Sequence, residues 1–203
     1  MKRGIYRPHK SANARNANAR PRLFSVQALL GKERPRLYMA LYWKGAKGPD
    51  DVNYHTALLL LPKILDPSSE RQQRVRRYHI VNGVREDGTQ RWDFKPEHAR
   101  PRSYLLRGLV FLGKLQGDVV ELECRLERVL ERVPIVQEDP AWRCHHWTWA
   151  AITGLIDPLP SPAERVWETA VMFVDSRFED STTISIPTCT TAGRLIKPPW
   201  EGG

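Results

Sequence analysis

Three side chains in this sequence have the chemical types and settings needed for acyl transfer. His55 lies inside the apolar stretch Tyr54 to Leu61, His79 inside Val75 to Val81, and Cys144 within Trp142-Arg143-Cys144-His145-His146-Trp147. The last stretch follows Asp139-Pro140 and predicts the start of a helix. A thiol at a helix N-terminus faces unpaired backbone N–H groups and the positive end of the helix dipole, and both favour thiolate over thiol. An imidazole nearby would stabilise that thiolate and act as general acid and base. A second polar residue would orient the imidazole. The N–H groups of the helix, starting at Cys144, could stabilise an oxyanion. Other readings stand beside this one. Buried cysteines are among the commonest core residues, and a histidine in a strand is often only a core or edge residue. Cys124 falls on the apolar side of its helix and reads as packing, and Cys189 falls in a tail with no partner signal.

Zinc is the competing chemistry. Cys144, His145 and His146 are consecutive, so on a helix their side chains diverge by about 100° each and cannot share one ion. No CxxC or HxxxH spacing occurs. Neither a metal nor a cofactor is expected.

The elements that would position these residues follow from the hydrophobic pattern. Strands are expected at Arg36–Trp43, Tyr54–Leu61, Val75–Val81, Gln90–Phe94 and Tyr104–Leu112, the second apolar enough to be central. Asp118 can cap a helix over Val119 to Arg132, with Val119, Leu122, Leu126, Val129 and Val133 on one stripe. A second helix is expected from Trp142 to Leu155, and a third from Ser161-Pro162-Ala163-Glu164 to about Arg177. Strands followed by helices predict an α+β domain, an antiparallel sheet of about five strands packed with about three helices.

The chain has 203 residues, with 41% apolar and 27% charged, in the range of globular proteins. No apolar run reaches the 18 or so residues of a membrane span. The net charge of +9 is concentrated at one end: residues 1–34 hold nine Lys or Arg against the single acid Glu33, a net of +8. Asn, Ala and Pro fill the rest of this segment, so it is expected to be a disordered basic arm ahead of one domain over 35–180. Residues 181–203 read as an extended tail. Such an arm suits a polyanion, and Arg15, Arg20, Arg22, Arg74, Arg76 and Arg77 are the candidate nucleic-acid contacts. A passive, solubilising extension is the plainer alternative. No apolar segment of a secretory signal follows the arm; its Arg-rich, acid-poor composition also fits a transit peptide. Three widely spaced cysteines argue against a disulfide framework and for a reduced, cytoplasmic setting.

The order Tyr54-His55-Thr56-Ala57-Leu58, then Arg77-Tyr78-His79, then a cysteine with an aromatic three residues on, resembles the permuted papain-like fold of the lecithin–retinol acyltransferase and NlpC-type families. By that resemblance Cys144 is the nucleophile, His55 the base and His79 the orienting residue. The tryptophan that follows the first histidine in those families is Thr56 here, and the asparagine before the cysteine is Arg143. Residues 36–180 also resemble a family of small uncharacterised fungal proteins, through Arg36-Leu37-Tyr38-Met39-Ala40-Leu41-Tyr42, Val133-Pro134-Ile135 and Trp142 to Trp147. Similarity to fungal arginine-containing cyclodipeptide synthases implies aminoacyl-tRNA as donor, a small-molecule acyl acceptor and a diketopiperazine product of secondary metabolism. The DDxxE motif associated with that group does not occur: Asp50-Asp51 runs into Val52-Asn53-Tyr54. Trp142, Trp147, Tyr54 and Arg143 are the candidate substrate contacts. A thiol amidase, peptidase or lipid acyltransferase with the same dyad, and a non-catalytic module that binds nucleic acid or a partner, are the alternative functions.

Overall fold

The computed structural model describes residues 34–45, 53–62, 75–156, 159, 161–178 and 185–200. Among them are seven strands and three helices: β1 (Arg36–Trp43), β2 (Tyr54–Leu61), β3 (Val75–Val84), β4 (Gln90–Ala99), β5 (Leu106–Lys114), α1 (Val119–Leu130), α2 (Cys144–Leu155), α3 (Ala163–Phe178), β6 (Thr188–Thr190) and β7 (Leu195–Ile196). The strands form one sheet in the order β4-β3-β2-β1-β5-β6-β7. The class is α+β, as expected. The sheet is larger than the five strands expected and is mixed, because β6 runs parallel to β5. Among the described residues no helix is long and apolar enough to cross a membrane.

All three helices pack on one face. There Leu37, Met39 and Leu41 of β1, Leu58 and Leu60 of β2, and Tyr78 and Ile80 of β3 meet Leu122, Leu126 and Leu130 of α1, Trp147 and Ile152 of α2, and Val166 and Val174 of α3. Tyr38, Ala40, Tyr42, Ala57, Leu59, Leu61 and Val75 form a second apolar layer on the other face, with Phe111, Ile186 and Trp200. A strand buried on both faces has no polar side to alternate with, so Tyr54–Leu61 reads as a nearly continuous apolar run. Covering an apolar side chain is worth about 1.5–3 kcal/mol, and this double layer makes β1 and β2 the centre of the domain.

Several boundaries differ from expectation for physical reasons. β4 continues through Lys95-Pro96 to Ala99 because it is the sheet edge, where a proline lacking its N–H interrupts no ladder. Hydrogen bonding with this longer partner carries β3 on to Val84. Within residues 181–203, Thr188–Thr190 and Leu195–Ile196 extend the sheet, and Cys189 is buried on the helix side instead of lying in a tail. Cys124 is exposed, against its reading as packing: the buried stripe of α1 is Leu122, Leu126 and Leu130, and position 124 points about 200° from Leu122. The Asp118 cap forms as expected, its carboxylate accepting from the Val120 and Glu121 amides.

β2 and β3 pair only through Leu58–Leu60 with Arg76–Tyr78, whereas β3 and β4 pair over ten residues each. Beyond Tyr78 the β3–β4 arm therefore separates from β2. That opening is where the site lies.

Candidate functional site

A cavity of about 1050 Å³ occupies this end of the sheet. Its wall includes Tyr42, Trp43 and Lys44 from β1 and its exit, His55 from β2, and Arg77, His79 and Ile80 from β3. Trp92 of β4 and the segment before α2, with Trp142, Arg143 and Cys144, complete the wall. The three residues singled out for chemistry thus share one space.

That segment is held in place by its own polar groups. The Gln137 amide bonds both backbone groups of Trp92, accepting from its N–H (3.0 Å) and donating to its C=O (2.8 Å), so it docks on the edge strand as another strand would. Asp139 accepts from the Ala141 amide (2.8 Å) in an Asx turn. Trp92 and Trp142 meet edge to face, with centroids 5.6 Å apart. The Arg143 guanidinium donates to the carbonyls of Pro140 and Trp142. α2 then begins at Cys144, two residues later than expected, with Arg143 as its N-cap. The Arg143 amide donates to Nδ1 of His146 (2.9 Å), which fixes the entry to the helix. Cys144 is the first helical residue; the His146 amide already donates to the Arg143 carbonyl (3.0 Å), and the amides of Cys144 and His145 are the ones without a partner inside the helix.

The two histidines form a hydrogen-bonded pair, His55 Nε2 to His79 Nδ1 at 2.8 Å. Glu97 of β4 continues the chain: its Oε1 lies 3.2 Å from His79 Nε2. That contact lacks hydrogen-bond alignment, and His79 Nε2 otherwise has no partner. Glu97 is opposite Arg77 in the β3–β4 ladder and is paired with it, and Lys95 Nζ sits 3.2 Å from its other oxygen. Burial would raise the Glu97 carboxyl, but Arg77 and Lys95 outweigh it and hold the group down at about 2. Burial pushes His55 down to about 3, helped by positive charge on His79, Arg77 and Lys44. It pushes His79 down to about 4, with Arg77 adding to burial and Glu97 opposing it. Both rings are therefore neutral at physiological pH. An imidazolium beside the thiol is not the resting state, because burial and neighbouring cations disfavour a further positive charge.

Strand alternation sorts the residues by face. The Thr56 hydroxyl bonds Thr148 of α2 at 2.9 Å, so Thr56 points to the helix face and His55 to the other. The Tyr42 ring near His55 and the Arg77 guanidinium over Tyr42 lie on that same far face. Cys144, 4% exposed, belongs to the helix side. Thiol and imidazoles approach the cavity from opposite sides of the sheet end, and no hydrogen bond joins the Cys144 thiol to either described ring.

The other candidates divide. Trp142 and Arg143 line the cavity. Trp147 and Tyr54 do not: Trp147 is fully buried against Phe94, and the Tyr54 hydroxyl donates to Asp175 of α3. Both are core residues, because alternation and helical phase turn them inward. Arg76 is bonded to Glu127 of α1 and Arg77 to Glu97, so carboxylates occupy both. Arg15, Arg20, Arg22 and Arg74 lie outside the described residues. His145 stacks on Trp167 (centroids 5.2 Å, planes 5° apart) and packs in the core. Among the described residues no group of three His, Cys, Asp or Glu side chains is arranged to hold a metal ion. Sequence reading overlooked Glu97, which was placed past the expected end of its strand. The i, i+2 spacing of Lys95 and Glu97 facing Arg77 and His79 would have signalled it once β4 was extended.

The chain belongs to DUF6914, a family of unknown function, which it matches over residues 34–176. No curated protein and no solved structure matches it significantly.

Proposed function

We propose that this member of the family is a thiol acyltransferase, with Cys144 as the acyl-accepting nucleophile and His55, oriented by His79, as its base. The observation that carries this reading is the shared cavity, whose wall holds the helix-start thiol and the hydrogen-bonded imidazole pair. It keeps the permuted papain-like order, a strand histidine, a histidine on the next strand and a cysteine opening a helix.

His55 Nδ1 takes the thiol proton as Sγ attacks the acyl carbonyl carbon. The carbonyl oxygen becomes an oxyanion facing the first amides of α2. Its collapse breaks the bond to the leaving group, which takes the proton back from His55, and a thioester remains on Cys144. An amine or hydroxyl acceptor then attacks the thioester in the same way and releases the thiol. The donor to test first is the aminoacyl ester of charged tRNA, since it joins an activated acyl group to a polyanion and residues 1–34 carry a net +8. Deleting residues 1–34 is then expected to weaken tRNA binding and flatten its salt dependence.

A second reading draws on the separation of the two faces. His55 lies away from α2 and shares no hydrogen bond with Cys144, so the histidine pair can act as general base directly on a substrate hydroxyl or amine, without a covalent intermediate.

One experiment separates them. The full chain is mixed with an activated ester such as p-nitrophenyl acetate, then with charged tRNA, and quenched in acid for intact-mass and peptide mapping. The thiol reading expects an acyl adduct on Cys144, absent from Cys144→Ala and formed at least about tenfold more slowly in His55→Ala. Turnover undiminished in Cys144→Ala but lost in His55→Ala selects the second reading. Turnover unchanged in both variants ends both.

A further inference from the structure

We propose that Glu97 is a positioning residue that fixes the proton order of the histidine pair, leaving Nδ1 of His55 as the free base. The inference rests on the use of His55 as base in the reading above, and it starts from three contacts in series.

A neutral imidazole carries one N–H, and the partner of one ring nitrogen decides which nitrogen holds it. Glu97 is ionised by Arg77 and Lys95, so its Oε1 can only accept. His79 Nε2 lies 3.2 Å from it, not aligned as a hydrogen bond and otherwise unpartnered, so the carboxylate acts through its charge and favours an N–H over a lone pair at Nε2. His79 Nδ1 is then a lone pair and must accept from His55 Nε2 across the 2.8 Å contact. This protonates His55 at Nε2 and leaves its Nδ1 bare, and Nδ1 is the nitrogen a base needs. Reversing the order would leave His79 Nε2 as a lone pair against the Glu97 carboxylate, two acceptors face to face inside the protein.

Tyr42 and Lys44 from β1 and its exit, Arg77 from β3 and Lys95 from β4 supply donors and positive charge around the pair. Cys144 of α2 supplies a thiol on the shared wall. Without Glu97, no negative charge would remain beside His79 Nε2 to favour its N–H, and the positive charge of Arg77 would oppose it. Glu97 thus acts on chemistry through His79 and touches no reacting atom.

The test uses the full chain labelled with ¹⁵N-histidine. Long-range ¹H–¹⁵N spectra at pH 7 report which nitrogen of each ring is protonated, a readout that a merely structural role for Glu97 would leave unchanged. Both His55 and His79 are expected as Nε2–H in the unaltered protein. Glu97→Met is expected to shift His79 toward Nδ1–H, raising the minor-to-major ratio at least about tenfold, and to slow acylation by p-nitrophenyl acetate about tenfold or more. Glu97→Asp keeps the charge and is expected to retain the Nε2–H order. The double variant Arg77→Met/Glu97→Met controls for the stranded guanidinium and is expected not to restore the order. His79 protonated at Nδ1 in the unaltered protein, or an unchanged order in Glu97→Met, overturns the inference. Acylation lost in His55→Ala but unchanged in Glu97→Met also overturns it and leaves the base reading standing. If His55→Ala acylates normally, the base reading falls and the spectra still decide the role of Glu97.

Discussion

Lowering the pH from 7.5 to 4.5 is expected to destabilise this protein through its buried imidazoles. Burial depresses His55 to about 3 and both His79 and His145 to about 4, against an ordinary 6.5. In the unfolded chain these rings bind protons as the pH falls through 6.5, whereas the folded protein resists until about 4. Between those values the unfolded state holds more protons, so stability falls with falling pH. At pH 4.5, two units below the unfolded value, each ring costs about 2–3 kcal/mol, at about 1.4 kcal/mol per unit. Each of the three rings withholds one proton from the folded state, so together they sum to about 7 kcal/mol, His55 and His79 titrating as a coupled pair. That is a large part of an ordinary folding free energy. Glu97 does not contribute in this window. Its depressed carboxyl adds stability that is full above the ordinary carboxylate value and is lost only as the pH falls toward 2. Urea unfolding followed by circular dichroism at pH 7.5, 6.0 and 4.5 measures the loss. His145→Phe preserves the stacking on Trp167 and removes one titration, so its curve is expected to be shallower by about 2 kcal/mol across the range. Parallel curves for the two proteins would refute the argument.

Cysteine reactivity is expected to follow environment. Burial pushes the Cys189 thiol up to about 12, so iodoacetamide at pH 7 should leave it unmodified while exposed Cys124 reacts, as peptide mapping would show. Gly108→Ala places a Cβ 2.3 Å from Val174 Cγ2, so the Val174 side chain or the helix that carries it must shift. The expected loss is about 2–3 kcal/mol, read as a lower melting temperature and partly recovered by Val174→Ala. The Thr56–Thr148 hydroxyl pair is asymmetric, since Thr148 also donates to the Cys144 carbonyl (3.1 Å). Thr148→Val leaves the buried Thr56 hydroxyl alone and is expected to cost about 1–3 kcal/mol. Thr56→Val leaves Thr148 bonded and costs about 1 kcal/mol or less; equal losses in urea titrations would refute the asymmetry.

Local signals in the sequence located the elements well where the energetics are local. Arg36–Trp43 and Tyr54–Leu61 occupy the expected residues because apolar density marks a strand buried on both faces. α1 starts where Asp118 can accept from its first amides. What stayed hidden depends on neighbours. Pro96 looks like a strand terminator until β4 is known to be the edge, and with it went Glu97. Cys124 reads as packing by residue type alone, whereas helical phase sets it on the side opposite Leu122, Leu126 and Leu130. The grouping of His55, His79 and Cys144 was anticipated, but not their arrangement. Alternation in Tyr54-His55-Thr56 shows that His55 and Thr56 oppose each other, yet only the packed fold tells which face receives the helices.

That arrangement bears on how a thiol and an imidazole could cooperate here. A stored thiolate–imidazolium pair requires His55 to hold a proton at rest, and burial with Arg77, Lys44 and the neighbouring ring prevents it. The same cations and the opening amides of α2 favour negative charge in the cavity, whether on sulfur or on an acyl oxygen. Electrostatics here therefore disfavours the protonated base and favours the anion. Such a site gains most from holding the proton briefly, taking it as the carbon–sulfur bond forms and passing it to the leaving group as that bond breaks. The Glu97 carboxylate offsets the cations at the far end of the relay, 3.2 Å from His79, where it supports a transient positive charge without neutralising the cavity. Acylation should consequently keep its rate from neutral pH down to about 5, since the base is already unprotonated there. A rate falling tenfold per unit below pH 7 would mean that the working imidazole titrates at its ordinary value, and would refute the burial argument.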